Sequence, residues 1–394
     1  MRVLIATKIF PSARNPSMAP YNRHQFVALS RLCRAHLFVS LPWFPGESLV
    51  ARLRGRPQAS TASTAEVDGL RYRQARVFYV PKLGQAAAGL SYALSLAPHA
   101  LKLRGEVDVV LGAFAYPDGF AAVLLGKLLG VPAVIKLHGS DVNVISKSPL
   151  LRPLLAWGLS QAAAVVGPSQ PLVDQAIALG ADPRRARRIL NGVDKALFRP
   201  QNKSACRAAL GISSPKRWLL FVGLMVDAKG CADLLAAFRE LSPALPDVEL
   251  VMVGDGPELA RYRADSADLP VRFTGRRSHE EIATWIGASD VVTLPSWAEG
   301  TPNVVIEAIV SGRPVVASDV GGIPAVLNRA ELGQIVPARD RQALAAALRR
   351  VLAQPHAADQ IAELAGFGDW DHSARELLSV LEAAVSEHNL RTGP

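Results

Sequence analysis

The chain has 394 residues, room for two domains of roughly 180–200 residues, and at 49% hydrophobic and 20% charged residues it excludes a disordered, fibrous or coiled-coil protein. Three well-separated cysteines, Cys33, Cys206 and Cys231, exclude a disulfide framework and a cysteine-based metal site and fit a reducing cytoplasm. The net charge of +10 is uneven: residues 1–195 hold 24 Lys and Arg against 10 Asp and Glu, residues 196–394 hold 20 against 24, so the first half is expected to meet an anionic partner.

Met1-Arg2 leads straight into Val3–Ala6, too short for a signal-peptide core, so the amino terminus reads as a buried strand of a protein that is not exported. The longest apolar stretch, Ala86–Leu101, is broken by Ser91, Ser95, Pro98 and His99, which argues against a membrane-spanning helix. Short β-branched runs then alternate with Ala/Leu-rich segments, the pattern of βα units around parallel sheets. In the first half, strands are expected at Val3–Ala6, His36–Ser40, Val107–Gly112, Ala133–Leu137 and Ala164–Gly167. Helices are expected at Arg23–Leu32, Ala86–Leu103, Phe120–Leu129, Leu150–Gln161 and Gln170–Leu179. The basic stretch Ser48–Lys82 reads as a loop with an added hairpin, and Arg184–Arg188 as a solvated surface turn rather than a nucleic-acid site. Asn191–Ser204 reads as a linker. Strands follow at Trp218–Val222, Glu249–Val253, Val271–Thr274, Val291–Pro295 and Val315–Ala317, each with a helix after it.

The fold class is therefore α/β, with two Rossmann-like, doubly wound domains over residues 1–195 and 196–369, the carboxyl ends of both sheets facing a shared cleft. No G-x-G-x-x-G follows the first strand and no G-x-x-x-x-G-K-[ST] occurs, so NAD enzymes and P-loop NTPases are disfavoured.

The most informative loop is SWAEGTPNVVIEAIVSGRPVVASDVGGIP, after Val291–Pro295. Thr301 is expected as an N-cap with Pro302 at the first position of a helix running to about Val310. The amides of Asn303, Val304 and Val305, with the helix dipole, would hold a diphosphate. Glu299 on the loop and Glu307 inside the helix would bracket that anion at two depths, and carboxylates accept sugar hydroxyls well.

These segments resemble the retaining nucleotide-sugar glycosyltransferases of family 4, which have the GT-B fold. The resemblance rests on HGSD at His138–Asp141, NGVDKALFRP at Asn191–Pro200, FVGLMVDAKG at Phe221–Gly230, VGDGP at Val253–Pro257, FTG at Phe273–Gly275 and EGTPNVVIEA. With PYNRHQFVALS, the set is most similar to bacterial teichuronic-acid and exopolysaccharide enzymes. The resemblance implies that Glu299 contacts the donor sugar, Glu307 the ribose hydroxyls, Lys229 the diphosphate leaving group and His138 the donor sugar. A preplaced ammonium stabilises the charge that builds on a departing phosphate. Catalytic candidates are thus His138, Lys229 and Glu299. Donor-binding candidates add Gly223, Gly254, Gly275, Arg276, Gly300, Thr301, Pro302, Asn303, Val304 and Glu307. Asn22, Arg23 and Asp141 are the acceptor-side candidates. One position departs from the family pattern: Leu224 stands where many relatives carry an arginine, leaving Arg276 or Arg277 as replacement cations.

Asp369-Trp370-Asp371 spells a D-x-D, but it is read as a helix start, with Asp371 as cap and Trp370 as packing anchor. The terminal helix, about 370–388 with its centre at His372–Ala384, is expected to cross back onto the first domain, as the resemblance implies. No metal and no cofactor beyond the donor substrate are expected, and no nucleic acid. The implied partners are a UDP- or GDP-sugar and a lipid-linked or glycan acceptor. The implied place is the cytoplasm, at the inner face of the membrane if the basic residues before Ala86–Leu101 engage an anionic surface. Competing readings are a GT-B nucleotide-sugar 2-epimerase and a non-catalytic sugar-nucleotide-binding partner of a polysaccharide-assembly complex.

Overall fold

A computed structural model describes residues 1–11, 18–44, 64–79, 84–212, 214–300 and 302–392. The chain divides into two compact units, Met1–Gly192 with Trp370–Pro394, and Val193–Asp369.

The first unit is built on β1 (Arg2–Thr7), β2 (Arg34–Trp43), β3 (Thr64–Val67), β4 (Leu70–Phe78), β5 (Val109–Ala113), β6 (Ala133–Lys136), β7 (Ala164–Gly167) and β8 (Ala186–Arg188). Their spatial order is β3-β4-β2-β1-β5-β6-β7-β8, and every pairing is parallel except β3 with β4. Central strands such as VVLGA in β5 are buried throughout, as a sheet covered on both faces requires. Alternation divides the core: Val3 and Ile5 pack with Phe26 and Leu29 of the helix Pro20–Leu32 and with Leu377 and Leu381 of the terminal helix. Leu4 and Ala6 pack on the opposite face with Leu96, Ala100 and Leu125 of the helices Ala88–Leu101 and Phe120–Leu129.

Four sequence expectations need correction. The Ser48–Lys82 stretch does contain a hairpin, closed by Asp68 and Gly69 at positive φ, but β4 also pairs with β2 and widens the main sheet. Residues 45–63 and 80–83, with Arg52, Arg54, Arg56 and Lys82, lie outside the described residues. Arg184–Arg188 is a turn only in part: Arg184 and Arg185 lie in one, but Ala186–Arg188 pairs with β7 as an edge strand, and Arg185 is bound to Glu387 at 2.5 Å. A three-residue strand with one apolar position is too short for alternation to betray it. The expected linker contains a helix, Lys203–Ala209, capped by Asn202, whose side chain accepts from Ala205 N–H at 3.0 Å. The terminal helix runs from Trp370 to Thr392, so Asp371 lies in its first turn rather than at its cap, while Trp370 stacks on His24 at 5.4 Å.

The second unit carries β9 (Arg217–Val222), β10 (Val248–Val253), β11 (Val271–Gly275), β12 (Val291–Leu294), β13 (Val315–Ser318) and β14 (Gly333–Val336). They form a fully parallel sheet in the order β11-β10-β9-β12-β13-β14. The order reverses between β9 and β12. Among the described residues, no helix is long and apolar enough to cross a membrane.

Candidate functional site

Open parallel sheets bind ligands where the strand order reverses, outside the carboxyl ends of the strands. In the second unit that point lies between the loops leaving β9 and β12. The β9 loop ends in a tight turn, Asp227–Lys229, and Gly230 at φ 71 before the helix Cys231–Leu241. A Cβ at Gly230 would stand 1.9 Å from the Pro295 carbonyl oxygen, so the two loops can close on each other only with glycine there. Trp297 N–H donates to Ala228 O at 2.9 Å across the same contact.

This clasp brings Lys229 to Glu299. The ammonium donates to Glu299 Oε1 at 2.6 Å, and Ser296 Oγ donates to the same oxygen at 2.6 Å. Glu299 is only 9% exposed and Lys229 30%. Behind them Gly321, at φ 56, admits the Glu299 carbonyl 2.0 Å from where a Cβ would be, and Gly322 N–H holds Gly300 O at 2.7 Å. The indole of Trp297 donates to Asp233 Oδ2 at 2.7 Å, and Arg341 donates to Asp233 Oδ1 at 2.9 Å. These contacts fix the loop that carries Glu299.

The helix after this loop is Asn303–Val310, with Pro302 as its cap residue rather than its first helical residue, so the expected order shifts by one. Thr301 lies outside the described residues. Val305 N–H donates to Pro302 O at 3.1 Å, which removes it from the expected set of three anion-facing amides. Glu307 sits in mid-helix, its side chain 12% exposed, with Oε1 2.9 Å from His279 Nε2. Burial alone would lower the His279 pKa, but the hydrogen bond to Glu307 and the charges of Glu307, Glu280 and Asp194 outweigh it and raise the value.

Gly223 N–H donates to Val253 O and Gly254 N–H to Gly275 O, each at 3.0 Å, so the three glycines knit the loops of β9, β10 and β11 together. Leu224 is 55% exposed at this rim. Both replacement cations are exposed, and Arg277 is bound to Glu281 at 3.2 Å and Thr274 O at 3.0 Å. Arg261 is held by Asp227 at 2.5 Å and Glu258 at 3.0 Å.

The first unit has its own strand-end cluster. His138 follows β6 and lies between Tyr21, 4.9 Å away, and Phe114, 6.2 Å away. Among the described residues its Nε2 is buried without a hydrogen-bond partner, and burial together with Lys136 pushes its pKa well down, which favours the neutral ring. Asp141 is fully buried and accepts N–H groups from Ala115, His138 and Gly139 at 2.7–3.1 Å, shaping the loop that presents His138. Asn22 is likewise buried, donating to Ile9 O and accepting from Lys136 Nζ, both at 2.9 Å. Arg23 forms a two-pronged pair with Asp68 at 2.6 and 2.8 Å.

The sequence reading missed His279, Ser296, Asp233 and Lys136. A signal existed for His279, since Ser278 and Glu281 form a visible capping box that starts its helix there. Lys136 stands out as the only charge in the strand AVIK, and burial depresses its pKa to about 7. Among the described residues, no group of three His, Cys, Asp or Glu is arranged to hold a metal ion.

This geometry can neutralise an anion at Lys229 and the helix start and can accept hydroxyls at two half-hidden carboxylates. The family models that match are Glycosyltransferase Family 4 over residues 47–197 and Glycosyl transferases group 1 over residues 216–354. D-inositol 3-phosphate glycosyltransferase 1 of Catenulispora acidiphila is 31% identical over 333 residues, covering 77% of this chain and 76% of that protein. The Bacillus subtilis teichuronic acid biosynthesis glycosyltransferase TuaC is 28% identical, covering 92% and 93%. Against the Nocardioides D-inositol 3-phosphate glycosyltransferase the match spans only 50% of that protein's length. Anabaena HepE, solved in complex with UDP, superposes with a TM-score of 0.73 at 19% identity, over 97% of this chain and 100% of that one. Matched in both halves, and over three quarters of a relative above 30% identity, the chain belongs to glycosyltransferase family 4 and has the GT-B fold.

Proposed function

We propose that this protein transfers a hexosyl group from a UDP- or GDP-sugar to a hydroxyl acceptor, with retention at the anomeric carbon, and that the acceptor is a lipid-linked glycan of cell-surface polysaccharide biosynthesis. The carrying observation is the Lys229–Glu299 pair on the loops of β9 and β12, where the strand order of the second sheet reverses, together with a second half-hidden carboxylate, Glu307, on the helix that follows. The UDP and UDP-glucose complexes of Anabaena HepE support the donor class, and the teichuronic acid relative supports the acceptor class.

On this reading the donor diphosphate replaces Glu299 at Lys229. The ammonium then holds the leaving phosphate while Glu299 is released to accept sugar hydroxyls. The acceptor oxygen bonds to the anomeric carbon on the face from which the phosphate departs, and the acceptor proton passes to the departing phosphate oxygen. No protein nucleophile and no metal take part. His138 is assigned to the donor sugar through the family resemblance, so His138→Ala should lower turnover with little change in nucleotide affinity. Incubation of purified protein with UDP- and GDP-sugars tests the assignment: a glycosylated acceptor formed equally with and without EDTA supports it. An isomerised sugar nucleotide would replace it with a 2-epimerase, and binding without turnover with a non-catalytic partner.

Association with an anionic membrane surface belongs to the same proposal. Leu90 and Leu94 of the helix Ala88–Leu101 are 52% and 64% exposed, and Arg76 is exposed on β4, which packs against that helix. Sedimentation with phosphatidylglycerol vesicles at low salt should fail when Leu90 and Leu94 are both changed to Ser.

A further inference from the structure

A second concavity lies in the first unit, at the amino-terminal ends of β2 and β4 rather than at the carboxyl ends where the strand-end cluster sits. Its volume is about 760 Å³, within the usual size of a metabolite site. Four elements wall it: β2 contributes His36 and Phe38, β3 contributes Glu66, β4 contributes Arg71 and Arg73, and the end of the helix Ala88–Leu101 brings His99 and Lys102. His99 stacks on Phe38 at 5.9 Å, and the Arg73 guanidinium lies 6.0 Å over the same ring.

The polar groups here do not satisfy one another. Among the described residues, His36 Nε2 and His99 Nδ1 are buried without a hydrogen-bond partner, an arrangement native proteins rarely leave unexplained. Arg71 is paired with Glu66 at 3.3 Å, but among the described residues Arg73 and Lys102 have no carboxylate within ion-pair distance. Burial lowers the pKa of both imidazoles. Arg34 and Arg2 lower His36 further against the opposing pull of Glu106, and Arg73 and Lys102 lower His99. An anion entering between them would reverse the charge effects and pair the two cations. A phosphoryl group suits this better than a carboxylate, because its three terminal oxygens reach several donors in different directions. The volume exceeds a bare phosphate, and the Phe38–His99 wall offers an apolar face to a sugar ring.

We propose that this cavity is a second ligand site, for a phosphoryl group carried on a small polyhydroxylated body such as a sugar phosphate. The site stands apart from the nucleotide reading, since all its residues belong to the first unit. Imidazole resonances of His36 and His99 in the full-length protein, titrated at pH 7, test it directly. Glucose 1-phosphate should shift both resonances saturably and raise both titration midpoints, while glucose leaves them unmoved. The paired change Arg73→Ser and Lys102→Ser should weaken that binding at least tenfold. Both side chains are exposed, so circular dichroism should report an unchanged fold, and His36→Gln supplies an independent loss of affinity. Inorganic phosphate binding as tightly as glucose 1-phosphate would remove the sugar from the assignment, and shifts seen only with phosphatidylglycerol vesicles would replace the soluble ligand with a lipid headgroup. No saturable shift with any phosphate would overturn the site, whatever the sugar-nucleotide assays return.

Discussion

Lys229 and Glu299 pair at 2.6 Å, so on the proposed function donor binding would be an exchange of partners, not the filling of an empty charge. Lys229→Ala should therefore lower kcat more than it weakens donor binding, because the ammonium matters most when the phosphate carries its full charge. Glu307→Ala should weaken donor binding by about 1.5–3 kcal/mol, the scale of a charged hydrogen bond, as read by isothermal titration. Glu307 also makes stability depend on pH. His279 has a raised pKa in the folded state, so the stability it contributes is fully present below its unfolded value near 6.5 and is lost as pH rises through the folded value. Urea midpoints of the wild type should fall across that window, and Glu307→Gln should flatten the fall; a slope unchanged in the variant would separate His279 from Glu307. At the rim, Leu224→Arg should tighten nucleotide binding if the diphosphate is under-charged and should be neutral if Arg276 already serves it.

The loops that hold these side chains depend on backbone approaches a side chain would block. Gly321→Ala would drive a methyl group into the Glu299 carbonyl at positive φ, so it should cost about 1–3 kcal/mol of stability and also weaken donor binding by moving Glu299. Gly211, also at positive φ (68°) but with open space where a Cβ would stand, is the control: Gly211→Ala should cost only the backbone term, about 1–2 kcal/mol, and leave binding alone. Equal effects on donor affinity would show that the clasp does not position Glu299. These loops also mark how far the sequence could be read. The strand, glycine and helix-start pattern around Glu299 and Glu307 was legible because capping chemistry is local. The Glu307–His279 pair was not, since its members are 28 residues apart and meet only when β11 and β12 are placed in one sheet. The burial of Asn22 and Asp141 was hidden for a related reason: their partners lie on other segments or on the backbone, which a polar residue beside a motif does not announce.

At the scale of the molecule, the chain leaves the first unit at Gly192 and re-enters it at Trp370. The strands of both sheets were legible from apolar runs, while β8 and β14, three and four residues long, carried too little pattern to be found. The returning helix completes a core it is far from in sequence. Gln25 Nε2 donates to Ser373 Oγ at 2.9 Å, Ser373 Oγ donates to Leu190 O at 2.7 Å, and Leu377 and Leu381 are wholly buried against Phe26 and Leu29. Each of Leu377→Ala and Leu381→Ala should thus remove about 2–5 kcal/mol, whereas Leu390→Ala, at a position 87% exposed, should stay within about 0.5 kcal/mol. Because the lost contacts lie in the first unit, hydrogen exchange should quicken in Pro20–Leu32 and β1, while the helix Cys231–Leu241 keeps its protection. A uniform loss of protection across both units would instead mean that the chain opens as one cooperative body, and that the helix from Trp370 stabilises the second unit as much as the first.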